Sequence, residues 1–270
     1  MTAGQSAWSD AAVAAALDSP GRARAQAAAQ VLIKQAETGS KPILASADDQ
    51  QQYWLKWPGN PHGNLSLAHE VLVAGIGRLL GAPVRRVSLI YVDPALVIDQ
   101  FVDGQRLPAG LYAGSELLTE VEEDTVVARV RRADNAARFA YYLALWDLCL
   151  GTDLQLLYHL AETDQVWSID HGLWFDSLEG DWSAAHLSRQ GSLPWPWPDG
   201  ARPQPFSRAA FLSAGAAVDG LTCQDLADVL GGVPLEWGIA DETLRTLARF
   251  VYERRSAVSE RLRQAAAWYR

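Results

Sequence analysis

Four residues are of types and at spacings that could transfer a charged group: Lys56, Glu70, Asp153 and Asp170. Lys56 lies in the run Tyr53-Trp54-Leu55-Lys56-Trp57. Read as a strand, the run puts Lys56 on the face opposite Tyr53, Leu55 and Trp57, because strand side chains alternate. Alone, it would read more readily as an edge lysine in water. Glu70 changes that: it follows fourteen residues later in a helical run, between His69 and Val71. A strand lysine held by a helix glutamate is an arrangement that grips nucleotide phosphates.

Asp170 closes the short apolar run Trp167-Ser168-Ile169 and precedes His171-Gly172, so a carboxylate stands at a strand end where the chain turns at glycine. Such a carboxylate can hold a metal ion, although Asp-x-Gly alone also describes a turn-capping aspartate. Asp153 comes seventeen residues earlier, after a long apolar helix and before two short strands. There it can orient an attacking hydroxyl. A phosphate-binding cation, an acid that holds it, a metal-binding carboxylate and a group beside the acceptor are the parts needed to move a phosphoryl group from ATP.

The elements that must position these residues are legible from periodicity. Residues 1–38 are Ala-rich with helical spacing, broken at Ser19-Pro20-Gly21, which predicts two helices as an N-terminal cap. After Gly39-Ser40-Lys41-Pro42 the period becomes two: Ile43-Leu44-Ala45-Ser46, a turn at Asp48-Asp49, then residues 52–57, a β-hairpin. Asn64 or Ser66 could cap a helix running through Leu67, Val71, Leu72, Ile76 and Leu79 to Gly81. Residues 84–92 and 95–101 read as further strands separated by Asp93-Pro94. From about Asp134 the chain turns helical along Phe139, Tyr142, Leu143, Trp146 and Leu150. It is interrupted only by strands at 156–160 and 166–169, joined through Glu162-Thr163-Asp164. The run Leu193-Pro194-Trp195-Pro196-Trp197-Pro198 cannot be helical and is expected to cross the surface extended, its indoles docked on a neighbour.

Taken together, Gly39-Ser40-Lys41-Pro42, Tyr53-Trp54-Leu55-Lys56, Glu70, Trp146-Asp147-Leu148 with Gly151-Thr152-Asp153, and Ile169-Asp170-His171-Gly172 resemble the HipA-like kinases, over roughly residues 38–175. The resemblance implies an α+β, protein-kinase-like fold of two lobes, related to the phosphoinositide kinases. Residues 1–102 would form a helical cap and small antiparallel β-rich lobe, and 103–270 a mostly helical large lobe. It implies ATP and Mg²⁺ as cofactors and a Ser or Thr hydroxyl of a protein as acceptor. Lys56 would then bind phosphate, Glu70 hold Lys56, Asp153 orient the hydroxyl and Asp170 bind Mg²⁺.

The catalytic loop departs from the family's pattern. Thr152 precedes Asp153, Gln155 stands where a histidine is usual, and Tyr158 where the asparagine that ligates a second metal is usual. Gln155 has an amide oxygen that a hard cation accepts. Tyr158 and Leu157 also read simply as strand core. A nucleotide- or partner-binding module without phosphoryl transfer is therefore the alternative to an enzyme. Gly39-Ser40 offers backbone N–H groups to phosphate, and Pro58-Gly59-Asn60-Pro61-His62-Gly63 is a second loop that could close over it. Asp99-Gln100-Phe101-Val102 falls where a strand would leave the small lobe, so the backbone at Gln100 and Phe101 is expected to meet the adenine, or else is an ordinary strand end.

Composition sets the bounds. The 270 residues are 49% hydrophobic and 20% charged, enough for a sizeable core. The net charge of −9 opposes a broad nucleic-acid surface, and the clusters Arg129-Arg131-Arg132 and Arg254-Arg255 read as solvated faces. The apolar stretch at 137–150 is interrupted by Arg138 and Asp147, so no membrane span is expected. The acidic, Ala-rich start does not look like a secretory signal, and the two cysteines suggest no disulfide framework, which together imply the cytoplasm. The five histidines lack a zinc spacing, and neither a nucleophile-elbow nor a dinucleotide fingerprint is present.

Overall fold

The computed structural model describes residues 7–19, 22–177, 183–202 and 204–269. After helix α1 (Asp10–Leu17) come strands β1 (Ala27–Gln35), β2 (Ile43–Ala47) and β3 (Gln52–Lys56), helix α2 (Asn64–Leu80) and strand β4 (Val87–Val92). A two-stranded hairpin, β5 (Phe101–Val102) with β6 (Gln105–Arg106), precedes β7 (Gly110–Glu116). The large lobe holds β8 (Val121–Asp124), α3 (Asn135–Leu148), β9 (Leu156–His159), β10 (Gln165–Ser168), α4 (Ala184–Gln190), α5 (Arg208–Gly220), α6 (Cys223–Leu230) and α7 (Asp241–Ala266).

The small lobe is a closed barrel in the order β1-β2-β3-β7-β4, sealed by a short parallel pairing of Ala27 with Ile90 and Ala28 with Tyr91. The predicted hairpin is present, with Ile43 opposite Leu55 and Leu44 opposite Trp54. Tyr53, Leu55 and Trp57 point into the barrel core with Ile90, Val92 and Tyr112. Lys56, by alternation, faces the other way, towards the large lobe.

Three expectations about this lobe are corrected. Of the two N-terminal helices only α1 forms, and residues 27–35 are strand. Closing the barrel against β2 and β4 outweighs the helical preference of the alanines. The break expected at Pro20-Gly21 lies outside the described residues. Residues 95–101 are not a strand: Pro94–Leu96 is a 3₁₀ turn, started by Asp93 accepting a hydrogen bond from the Ala95 N–H at 2.8 Å. The barrel strand in question is β7, so the barrel runs on past residue 102 to Glu116. Glycine and alanine blur its pattern, and they are required: a Cβ on Gly114 would lie 2.7 Å from Ile90 Cγ1 and 3.0 Å from Leu55 Cδ2.

Helix α2 ends at Gly81 as predicted, with that glycine in the left-handed conformation at φ 79°. It lies between the lobes, and Gly75 and Gly77 let it approach Val229 and Val84 closely. The large lobe packs α3, α5 and α7 around Phe139, Leu143, Phe211, Val218 and Val251. Strands β8, β9 and β10 form a small sheet beneath the cleft between the lobes. The Trp-Pro run is extended and docked, with Trp195 Nε1 donating to Gly151 O at 2.7 Å and Trp197 stacked on Phe211.

The basic clusters divide. Arg129 bridges Glu122 and Asp164 at the surface, beside exposed Arg131 and Arg132. Arg254 and Arg255, by contrast, are buried, at 1% and 4% exposure, not solvated. Asp147 at the end of α3 is itself buried, and Arg254 satisfies it at 2.6 Å with Arg261 adding a second pairing at 2.7 Å. A buried carboxylate without such partners would be strongly unfavourable.

Candidate active site

The cleft between the barrel and the small sheet is a cavity of about 340 Å³. Trp54 and Lys56 from β3, Val87 from β4 and Ala113 and Ser115 from β7 line its upper side. Gln155, Leu157, Ile169 and Asp170 line the lower side, and Glu116-Leu117-Leu118 its back. The volume is at the small end of the ~300–1,000 Å³ usual for small-molecule sites.

At the deep end, Lys56 Nζ bonds Glu70 Oε1 and also lies 2.5 Å from Asp170 Oδ1. Lys56 and Glu70 are 7% and 4% exposed, while the Asp170 side chain is more open at 21%. Burial works against the Lys56 ammonium, but Glu70 and Asp170 outweigh it and hold its pKa above the usual lysine range. For Glu70 burial likewise opposes the charge, and Lys56, with His171, overcomes it and keeps the carboxylate ionised. The pair is thus charged and placed before any ligand arrives.

The turn after β10 is shaped around this pair. Asp170 has φ 55°, a left-handed conformation that is costly without glycine. A Cβ on Gly172 would stand 3.3 Å from both Glu70 Oε1 and Lys56 Nζ and 3.2 Å from Ser66 Cβ. Two histidines lock α2 to the same turn. His69 Nδ1 lies 3.0 Å from Gly172 O. His171 lies 2.9 Å from Ser168 Oγ through Nε2 and 3.7 Å from Glu70 Oε2 through Nδ1. Burial pushes the His69 pKa down to about 4, so its ring is neutral.

Asp153 also has a left-handed backbone, φ 51°, and stands exposed at the lip, outside the cleft-lining residues. Its Oδ2 accepts from Gln155 Nε2 at 2.8 Å, leaving the Gln155 amide oxygen unspent among the described residues, in the same cleft as Asp170. Thr152 ties the loop to the turn that carries Asp170, its hydroxyl donating to Leu173 O at 2.5 Å. Tyr158 is wholly buried: its hydroxyl both donates to Ala128 O and accepts from Ala128 N–H, each at 3.0 Å. It is strand core and offers nothing to the cleft. Leu157, its neighbour, turns the other way and forms part of the cleft floor.

Gly39 and Ser40 lie in the turn between β1 and β2, whose Thr38 and Pro42 line the cleft mouth. The two candidate closing loops touch, since a Cβ on Gly39 would lie 2.8 Å from His62 Nε2. Ser40 is buried with no hydrogen-bond partner for its hydroxyl among the described residues. Gln100 and Phe101 stand apart from the cleft: Gln100 is exposed and Phe101 pairs with Arg106 in the β5–β6 hairpin, 59% exposed. The segment crossing between lobes is Glu116-Leu117-Leu118, which follows β7, the strand that periodicity did not reveal.

A two-lobed fold whose cleft joins a strand lysine, a helix glutamate and an Asp-x-Gly carboxylate is that of the protein-kinase-like class. The chain matches the HipA-like kinase family over residues 29–270, and it belongs to that family. Among solved structures it is similar to the Helicobacter pylori proinflammatory kinase CtkA, at 11% identity and a TM-score of 0.55, covering 88% of this chain and 97% of that one. It also matches the Golgi casein kinase, at 10% identity and a TM-score of 0.46, covering 88% of this chain and 73% of that one. No curated protein matches it. Family membership supports a kinase-type phosphotransferase, and no helix among the described residues is long and apolar enough to cross a membrane.

Proposed function

We propose that this chain is an ATP- and Mg²⁺-dependent phosphotransferase whose acceptor is a Ser or Thr hydroxyl of a protein. One observation carries the reading: Lys56 is joined to Glu70 and to Asp170 at the deep end of a cleft that also holds Gln155. Lys56 would hold the phosphates, with Glu70 keeping it charged and in place. Asp170 and the free amide oxygen of Gln155 are oxygen donors of the kind Mg²⁺ accepts, and both fit that ion better than any histidine nearby. Bound Mg²⁺ would neutralise charge on the phosphates. Asp153, exposed at the lip, would orient the acceptor hydroxyl and take its proton, and its openness suits an acceptor carried on a protein. Both cysteines are free and buried, which supports a cytoplasmic setting.

The purified chain with Mg-ATP is expected to transfer γ-phosphate to itself or to a protein in a lysate, and Asp153→Ala or Asp170→Ala to abolish the transfer. Labelling that survives both substitutions overturns the assignment.

Burial of Tyr158 where a second metal-binding asparagine is usual favours a second reading, a nucleotide-binding module that transfers nothing. It predicts a nucleotide-induced thermal shift without turnover above the Asp153→Ala background.

A further inference from the structure

Two features of the cleft bear on which nucleotide it takes. The first is Trp54. It sits two residues before Lys56 on the same face of β3, and it is the only aromatic side chain among those lining the cleft. Opposite it are Leu157 and Ile169, so the cleft is a slot with an indole on one side and branched aliphatic side chains on the other. Lys34 Nζ stands 5.6 Å from the centre of the Trp54 ring and makes no ion pair among the described residues, so its charge leans on the indole.

The second feature is the strand-to-lobe crossing. Reading a base edge requires free backbone donors and acceptors there. The Glu116 N–H already donates to Arg86 O at 3.2 Å and the Leu117 N–H to Gln52 O at 2.8 Å. The Glu116 carbonyl is approached by Arg85 Nη2 at 3.4 Å. Three of the six backbone groups of Glu116, Leu117 and Leu118 that could tell one purine edge from another are thus engaged within the fold.

From these we infer that the base is held mainly by stacking on Trp54 rather than by edge recognition, so that the cleft accepts guanine as well as adenine nucleotides. The inference rests on the proposed nucleotide site. Stacking tolerates any base, because every base presents a π-face. Edge recognition would add discrimination, since a donor or acceptor left unpaired in a buried site is costly.

Calorimetric titration of the full chain with Mg-ATP, Mg-GTP and Mg-tripolyphosphate tests it, on the unaltered protein and on Trp54→Ala and Trp54→Phe. ATP and GTP are expected to bind within about tenfold of each other, the worth of one net hydrogen bond. Trp54→Ala should weaken both by roughly tenfold or more and leave tripolyphosphate unchanged, with Trp54→Phe recovering much of the loss. GTP weaker than ATP by over about a hundredfold, or tripolyphosphate weakened by Trp54→Ala as much as the nucleotides, overturns the inference while leaving the nucleotide site standing. No binding of any of the three overturns both.

Discussion

Lys56 Nζ lies 2.5 Å from Asp170 Oδ1 although 114 residues separate them in the chain. One residue comes from the barrel and the other from the large lobe, so this ion pair joins the lobes across the cleft as Glu70 joins α2 to the barrel. Lys56→Met would leave two carboxylates facing each other without their cation. Breaking a buried pair from one side costs about 3–5 kcal/mol, and Glu70 is as deeply buried as Lys56. Chemical denaturation should show a loss at or below the lower end of that range, because Asp170 is partly open to water. Phosphate transfer should vanish.

Gln155 and Tyr158 separate the two readings of the catalytic loop. If Gln155 completes the metal site, Gln155→Ala should raise the Mg²⁺ concentration needed for half-maximal transfer by roughly tenfold, the loss of one charge-assisted contact. Tyr158→Phe should leave that concentration unchanged. It would instead lower stability by about 1–2 kcal/mol, because it strands the Ala128 N–H and carbonyl that the hydroxyl serves. A magnesium titration beside a urea melt reads both.

Gly172→Ala places a methyl against Ser66, Glu70 and Lys56. The tightest contact would be 3.2 Å, so the neighbours must give by a few tenths of an ångström. The lysine and glutamate cannot yield without loosening their pair. Transfer is expected to fall at least about tenfold with only a modest change in melting temperature, since small misplacements of reacting groups are amplified in rate.

Acid should weaken the fold through His69. The folded ring takes up a proton only near pH 4, whereas an unfolded histidine does so near 6.5. Between those values the unfolded state binds more protons. Stability due to this group is therefore complete above about pH 6.5 and lost as pH falls towards 4, by at most about 1.4 kcal/mol per pH unit. His69→Gln, which can still donate to Gly172 O, should flatten that part of the urea-midpoint profile.

The parts of the site that periodicity made legible are those built on long, well-patterned elements. The β2–β3 hairpin alternates cleanly, so the facing of Lys56 follows from the positions of Tyr53, Leu55 and Trp57. Helix α2 has a clear stop at Gly81, and Glu70 falls on its buried side. What escaped was set by tertiary closure. Ala27, Ala28 and Ala29 favour helix locally and become strand because the barrel needs a wall there. Strand β7 hides because its role is to let Leu55 and Ile90 come close, which selects Gly114 over a β-former. Because β7 is hidden, the expected crossing falls instead on Gln100 and Phe101, of which Phe101 is in a surface hairpin and Gln100 lies exposed just before it. Arg254 reads as solvated charge because nothing local announces that Asp147, 107 residues away, is buried and waiting for a partner, and Arg255 because nothing local marks its guanidinium as lying over the Tyr252 ring, 3.6 Å from its centre.

The loop that carries Asp153 is not self-supporting. Gly151 N–H bonds Trp146 O at 2.8 Å, a Cβ on Gly151 would strike the Trp146 ring, and the Gly151 carbonyl is held by the Trp195 indole. Trp146 in turn donates to Pro196 O at 2.8 Å. The Trp-Pro segment therefore acts as a splint, strapped to the loop from 44 residues downstream and stiffened by its prolines. A graft of residues 149–155 into another scaffold would leave the splint behind, and any sequence drift in the loop is tied to that of a segment far from the chemistry.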